Sequence, residues 1–251
     1  MGSSTGRNSV LVILSIAVFL GIWKILSLVL GAEIILPSPE KTVLGFFRLL
    51  LSTKFWPAFG ATIIRGLLGF TISCAAGIVL GITSGLKPGI HAFVKPYLAI
   101  IKPTPVMSVI LLALIWFKTD NVPIFVSFLI AFPIIFSNVI EGVNQVEEKL
   151  IEMSKLYGIK KRTTLFHIYI PSITPYFLAG ISSGLGITWK VVIAAEVLSQ
   201  PVHALGTGLQ EAKIQLETAE VFAWTAAAIL LSVITEKSLN LLLKKLPWRV
   251  F

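Results

Sequence analysis

Six apolar stretches, each about long enough to cross a bilayer, constrain this chain more than anything else in it. They run over residues 10–32 (interrupted by Lys24), 61–86, 97–117, 122–140, 173–197 and 221–243, the last with Glu236 and Lys237 near its end. A hydrocarbon core of about 30 Å takes roughly 20 apolar residues in helical form. Lipid leaves helices and closed barrels as the only ways to satisfy the backbone. The pattern therefore predicts an all-α, polytopic membrane protein with about six transmembrane helices, in one domain over residues 1–251. With 55% hydrophobic and 13% charged residues and a mean hydropathy of +0.89, an ordinary soluble domain is excluded. The first run exceeds the roughly 7–15 apolar residues of a cleaved signal, and no small-x-small site follows it, so it reads as a retained span.

The basic residues give an orientation. Twelve of the 21 lysines and arginines fall on one side: Arg7, Lys87, Lys95, the cluster from Lys149 to Arg162, and Lys237 to Arg249. The other side holds Lys41, Arg48, Lys54, Lys118 and Lys213, while Lys24, Arg65, Lys102 and Lys190 lie within spans. The positive-inside rule then places both termini and the 142–171 loop in the cytoplasm of a multi-pass cell (inner) membrane protein. The same bias accounts for the +9 net charge without nucleic acid, since no basic face with interleaved aromatics occurs.

The longest charged interruption lies between the fourth and fifth spans. Val146, Leu150, Met153 and Tyr157 recur at helical spacing on one side of residues 145–157, with the charges elsewhere. Gly158 follows, where helices commonly end in a left-handed residue, and Lys160, Lys161 and Arg162 then crowd a turn. A short amphipathic helix strung between two spans suits docking into a partner's groove.

Other segments carry smaller signals. Residues 39–51 read as an amphipathic helix, either lying on the membrane surface or simply connecting two spans. Gly77, Gly81 and Gly85 form a smooth strip for close helix approach. Arg65 reads as snorkelling to water at the outer end of its span, with a place on the solute route as the alternative. Lys102-Pro-Thr-Pro105 breaks the third span. It either lines a pathway or makes a structural kink with an interfacial lysine. Pro123 and Pro133 read as simple kinks. Gly180, Gly184 and Gly186 make the fifth span slender enough to pack near an axis or a dimer partner. Lys190 and Glu196 sit about 240° apart around that helix, so each needs its own partner or water, unless Glu196 marks the span's outer end.

Residues 152–171 carry a family resemblance. Glu152, Gly158, Ile168 and Pro171 stand at the spacing of the cytoplasmic signature of ABC-importer permeases, with Met153 and Ser154 in place of its two alanines and Ile170 in place of its leucine. Leu36-Pro-Ser-Pro39, the Lys102–Pro105 kink, the run from Gly184 to Glu196 and Gly206-x-Gly208-Leu209 resemble the nitrate, sulfonate and taurine branch of these binding-protein-dependent, MetI-like permeases. That branch is also similar to transporters for thiamine and riboflavin precursors. The resemblance implies a type I importer fold, a permease homodimer over two ABC ATPase subunits, and an extracytoplasmic solute-binding protein. It implies Glu152, Met153, Ser154, Gly158, Ile168 and Pro171 as the ATPase-coupling residues. Bulk at Met153 is expected to alter how closely the coupling helix packs. Arg65, Lys102, Lys190 and Glu196 are the residues expected along the translocation pathway, the three cations attracting an anionic solute.

No Gly-x-x-x-x-Gly-Lys-Ser/Thr loop occurs, so ATP and magnesium are expected on the partner subunit and no cofactor on this chain. His91, His167 and His203 are scattered with no ligand-spaced cluster, and Cys74 is alone, so neither a metal site nor a disulfide is expected. Gly180-Ile-Ser-Ser-Gly184 matches a serine-nucleophile pattern, but the nearest histidine, His167, is some 22 Å away along a helix, too far for a base. An ion-driven secondary transporter is the other rival. It predicts inverted repeats and mid-membrane charge relays, and neither is visible.

Overall fold

This computed structural model describes residues 3–244, with side chains described for residues 10–239, 241 and 242. Every regular element among the described residues is helical. In chain order they are α1 (Ser3–Leu30), α2 (Pro39–Leu51), α3 (Phe55–Leu86), α4 (Pro88–Ile101), α5 (Val106–Trp116), α6 (Val122–Asn144), α7 (Glu148–Leu156), α8 (Lys161–Thr164), a π-helical turn (Leu165–Tyr169), α9 (Ile170–Ser199), α10 (Leu205–Ile214) and α11 (Thr218–Lys244).

Helices α3, α6 and α9 make the centre, and glycine decides how they meet. A methyl group at Gly77, Gly81 or Gly85 would lie 2.7, 2.7 and 2.5 Å from side-chain atoms of Ile135, Val139 and Val143. The glycine strip is thus the seat of α6, which approaches to backbone distance as small residues allow. Partner numbers rise together along the strip, so α3 and α6 are parallel. Two parallel, consecutive long helices require the chain between them to cross back. The broken pair α4–α5, bent by 100°, is therefore a crossing rather than a re-entrant loop. Together with five single helices long and apolar enough to span, it gives six.

Helix α9 runs antiparallel to α6. Gly142 faces Ile173, and further along Gly180 faces Asn138 and Gly184 faces Ile135. The glycines expected to make α9 slender for a dimer partner are used inside the subunit: Gly180 against α6, Gly184 against α6 and Phe70 of α3, and Gly186 against Glu236 of α11. The serine-nucleophile pattern is explained by the same contacts, since its two glycines are packing positions.

The amphipathic helix has the expected limits, because Ser38 accepts a hydrogen bond from Lys41 N (3.4 Å) and Pro39 opens the first turn. Phe46, Leu49 and Leu50 pack on the core, while Val43, Leu44 and Phe47 remain uncovered. Helix α1 stands apart, its apolar window wholly outside the buried interior. It is held near its end by Trp23 Nε1 donating to Pro37 O (3.0 Å), by Trp23 stacking on Phe222 (5.5 Å between centroids), and by Lys24 donating to Glu40 (2.9 Å). That last bond holds the Glu40 carboxyl below its ordinary range. It also gives the lysine that interrupts the first span a partner.

The fifth span begins earlier than residue 173. The helix is continuous over Lys161–Ser199, and the basic residues expected in a turn start it, with Lys160 as N-cap. Pro171 has no N–H to give to the carbonyl four residues back, and its ring would press on that carbonyl. The chain answers with a wider turn over Leu165–Tyr169, in which Ile170 N reaches Leu165 O. Helices α1 and α11 flank the core so that α1 starts and α11 ends on the α7 side. The charges at Arg7, Lys244, Lys245 and Arg249 lie outside the described side chains.

Candidate functional site

Three places carry the residues singled out in the sequence. The first is α7, at one end of the bundle. It ends in a left-handed turn closed by two bonds, Ile159 N to Ser154 O (2.9 Å) and Gly158 N to Lys155 O (3.1 Å), with Gly158 at φ +64°. This arrangement satisfies the last carbonyls and selects glycine at its left-handed position. Nothing lies within 4 Å of where a side chain on Gly158 would begin, so conformation rather than space makes the selection.

Ser154 is the position of α7 that faces inward, 3% exposed, with its hydroxyl donating to Ile151 O (2.8 Å). Met153 is partly uncovered. Within this chain the residue of α7 that meets the bundle is Ser154, not Met153. Glu152 points to solvent. Leu156 (85% exposed) and Tyr157, with the partly covered Leu150 and Met153 beside them, form an apolar surface left open among the described residues. Ile168 and Pro171 lie half-buried in the π turn and the first turn of α9.

The second place is the break between α4 and α5. A cavity of about 310 Å³ opens beside it, lined by Lys102, Pro133, Ser137, Asn138 and Ile187 among others. Pro133 is thus a wall residue inside an unbroken helix. Lys190 lies on the uncovered stripe of α9 that also carries Pro175, Ala179 and Ser183. These positions recur at helical spacing on one face.

The third place lies at the end opposite α7, where Arg65 and Glu196 form an ion pair (Nη1 to Oε1, 3.0 Å) with side chains 9% and 0% exposed. Arg65 therefore does not snorkel to water: its charge is met inside the protein. Nη1 also donates to His203 O (2.8 Å), and Nη2 donates to Asp120 Oδ1 (2.5 Å). Glu196 accepts from Thr62 Oγ1 (3.0 and 2.9 Å) and from Gly206 N (3.2 Å), while Leu205 N donates to Thr62 Oγ1 (3.0 Å). A buried carboxylate is tolerated when its lone pairs are filled this way. The close seating of α10 needs Gly206, since a methyl there would stand 2.5 Å from Glu196 Cβ and 2.6 Å from Val197 N. Glu196 does not pair with Lys190, as their angular separation required.

Sequence reasoning missed Thr62, Asp120 and His203, which join this node from three separate elements. The available signals were an acid in a short interspan connection and the Gly206-x-Gly208 pair. Neither names its partner.

Residues 73–246 match the family described as binding-protein-dependent transport system inner membrane component. The chain is 28% identical to a Bacillus subtilis protein called the aliphatic sulfonates transport permease SsuC, over 93% of this chain and 85% of the relative. It is 26% identical to the taurine transport system permease protein TauC of Escherichia coli, over 96% and 90%. It is also 25% identical to the nitrate import permease protein NrtB of Synechococcus elongatus, over 74% and 70%. Among solved structures, a chain of the MetNI methionine ABC transporter, in an inward-facing conformation, superposes with a TM-score of 0.54 at 17% identity, covering 78% of this chain and 95% of that one. That likeness establishes the MetI type of permease fold. With its six crossings and its exposed helix between the fourth and fifth of them, the chain belongs to the family of inner-membrane permease components of binding-protein-dependent ABC importers.

Proposed function

We propose that this chain forms the solute pathway of an ATP-driven importer and is moved by a separate ATPase subunit that grips α7 from the cytoplasm. The open apolar surface of Leu156 and Tyr157, with Leu150 and Met153 beside them, carries this reading. A helix in water hides such a face unless a partner covers it. Glu152, on the same short helix, orients it in the ATPase groove. The turn at Gly158 sets the angle at which its motion passes to the continuous helix from Lys161 to Ser199. Ile168 and Pro171 lie at the base of that helix, where the π turn makes a natural point of flexure. ATP and magnesium sit on the ATPase dimer, and an extracytoplasmic binding protein delivers the solute.

The route runs past the α4–α5 break, where Lys102 stands at the cavity. Lys190, Ser183 and Ala179 face a second copy of this chain across a two-fold axis. A lysine on a lipid-facing stripe would be costly, so this face is turned to a partner or to water. Lys102 and Lys190 supply positive charge to a small anion of the sulfonate, taurine or nitrate kind, the solutes for which the relatives are called. Arg65 and Glu196 neutralise each other and act as a brace rather than as a lining.

Reconstitution of the permease with its ATPase and binding protein tests this. Glu152→Lys and Gly158→Asp are expected to abolish ATP-dependent uptake of the anion while the permease stays inserted and folded. Uptake at the parent rate by both variants would refute the assignment of α7.

A further inference from the structure

Lys190 of α9 and Glu236 of α11 are opposite charges within membrane spans, and among the described residues neither has an ion pair. Glu236 is half-buried and accepts from Ser232 Oγ (3.1 Å), one turn back on its own helix. Its carboxylate lies over Gly186 of α9, with Oε1 3.1 Å from where a side chain there would begin. Lys190 stands one turn further along α9, and side chains four residues apart leave the helix about 5–6 Å from each other. A long helical side chain leans back over the preceding turn, which here is the turn that Glu236 covers. On the other flank of Lys190 is Ile187, a wall of the cavity that Lys102 lines. At about 100° per residue, Lys190 stands about 40° round from Gly186 and about 60° short of Ile187. The lysine is therefore placed between an acid and the cavity, and a change of rotamer turns it from one to the other.

We propose that Glu236 is the resting counter-ion of Lys190 and, through it, a positioning residue for the solute. While the Lys102 cavity is empty, the Lys190 ammonium lies on Glu236. An anion in the cavity draws the ammonium away, and departure of the anion returns it. A charge within a span needs an opposite charge or water, and Glu236 is the acid one turn from Lys190. Two unanswered cations beside one largely apolar cavity would also hold an anion too firmly, whereas passage requires a site that releases as well as binds. Competition from Glu236 supplies the release. Gly186 serves the arrangement, since a side chain there would crowd the carboxylate. Displacement by solute rests on the pathway reading above, because the cavity is the proposed route; the pair itself does not.

The test is zero-length cross-linking by dicyclohexylcarbodiimide, which enters membranes and joins a carboxylate to an amine only where the two touch. It is applied to the intact permease complex in membrane vesicles without ATP. The expected product is an amide between Lys190 and Glu236, found by mass spectrometry in a band of monomer size and absent from Glu236→Gln. Nitrate or ethanesulfonate, whichever the parent complex takes up, is expected to lower the amide yield at least about two-fold, as when half or more of the ammonium is drawn away. Absence of the amide from the parent overturns the proposal. So does the same amide in a band of dimer size, which puts the counter-ion on a second copy. A yield that a transported anion leaves unchanged marks a merely structural pair and overturns the switch, while the pathway reading stands. If neither anion is taken up, the pathway reading fails and displacement by solute fails with it, and the amide formed without anion still decides whether Glu236 is the counter-ion.

Discussion

The two ends of this bundle solve opposite problems. At the α7 end a nine-residue helix leaves leucines, a methionine and a tyrosine in the open, and its only deeply buried side chain is a serine. At the far end an arginine and a glutamate are taken out of water, and the glutamate carboxylate accepts from Thr62, Arg65 and Gly206. One end has surplus apolar surface, the other a surplus of satisfied polarity. One end is finished and the other is not. The Arg65 node is complete within one chain, whereas α7 is complete only when something covers it.

The most damaging change falls on the finished end. Glu196→Ala leaves the Arg65 charge buried without its main partner, at a cost of about 3–5 kcal/mol. The expected result is loss of folded protein in detergent, read by yield and melting midpoint. A midpoint within a degree of the parent would show that the node is not closed as described. Gly206→Ala forces α10 off Glu196 and Val197 and is expected to cost about 1–3 kcal/mol. The same melting assay reads it, with a smaller loss than for Glu196→Ala.

At the unfinished end the changes shrink and move from stability to coupling. Gly158→Ala puts a side chain on a left-handed residue with open space around it, so strain of about 1–2 kcal/mol is the whole cost. The bundle is expected to melt nearly as before while ATP-driven uptake falls. Met153→Ala is expected to change stability by less than about 0.5 kcal/mol, as for an exposed site, yet to weaken capture of the ATPase in pull-down from detergent. Loss of bundle stability in the Met153 variant would erase the contrast between the two ends.

Much of the architecture was legible beforehand, and particular residues show why. Ser38 and Pro39 mark the start of α2 because capping chemistry is local. Gly158 marks the end of α7 because a left-handed turn is a property of one residue and its neighbours. The apolar runs mark the crossings because lipid demands about the same length of every helix. The signature around Glu152 placed the exposed helix in the right connection. Less legible was the start of the fifth crossing, where Lys160 to Arg162 read as a turn. The π turn that accommodates Pro171 carries the helix back through them.

The site at the other end was legible only as unpaired charges. Arg65 reads as snorkelling or lining the route and Glu196 as needing some partner or water, because in sequence they stand 131 residues apart and nothing local joins them. Asp120 drew no notice, since an acid in a short connection is ordinary.

That this chain crosses a membrane about six times and carries a polar helix between the fourth and fifth crossings is written in its residue order. Those features follow from hydrophobic length and local backbone preference, which a window of residues contains. The packing of the helices decided that α3 and α6 run parallel, that the broken helix must cross, and that Arg65 meets both Glu196 and Asp120. Those outcomes depend on which glycine meets which side chain across helices, and charge pairing between distant residues leaves no trace in the order of the chain.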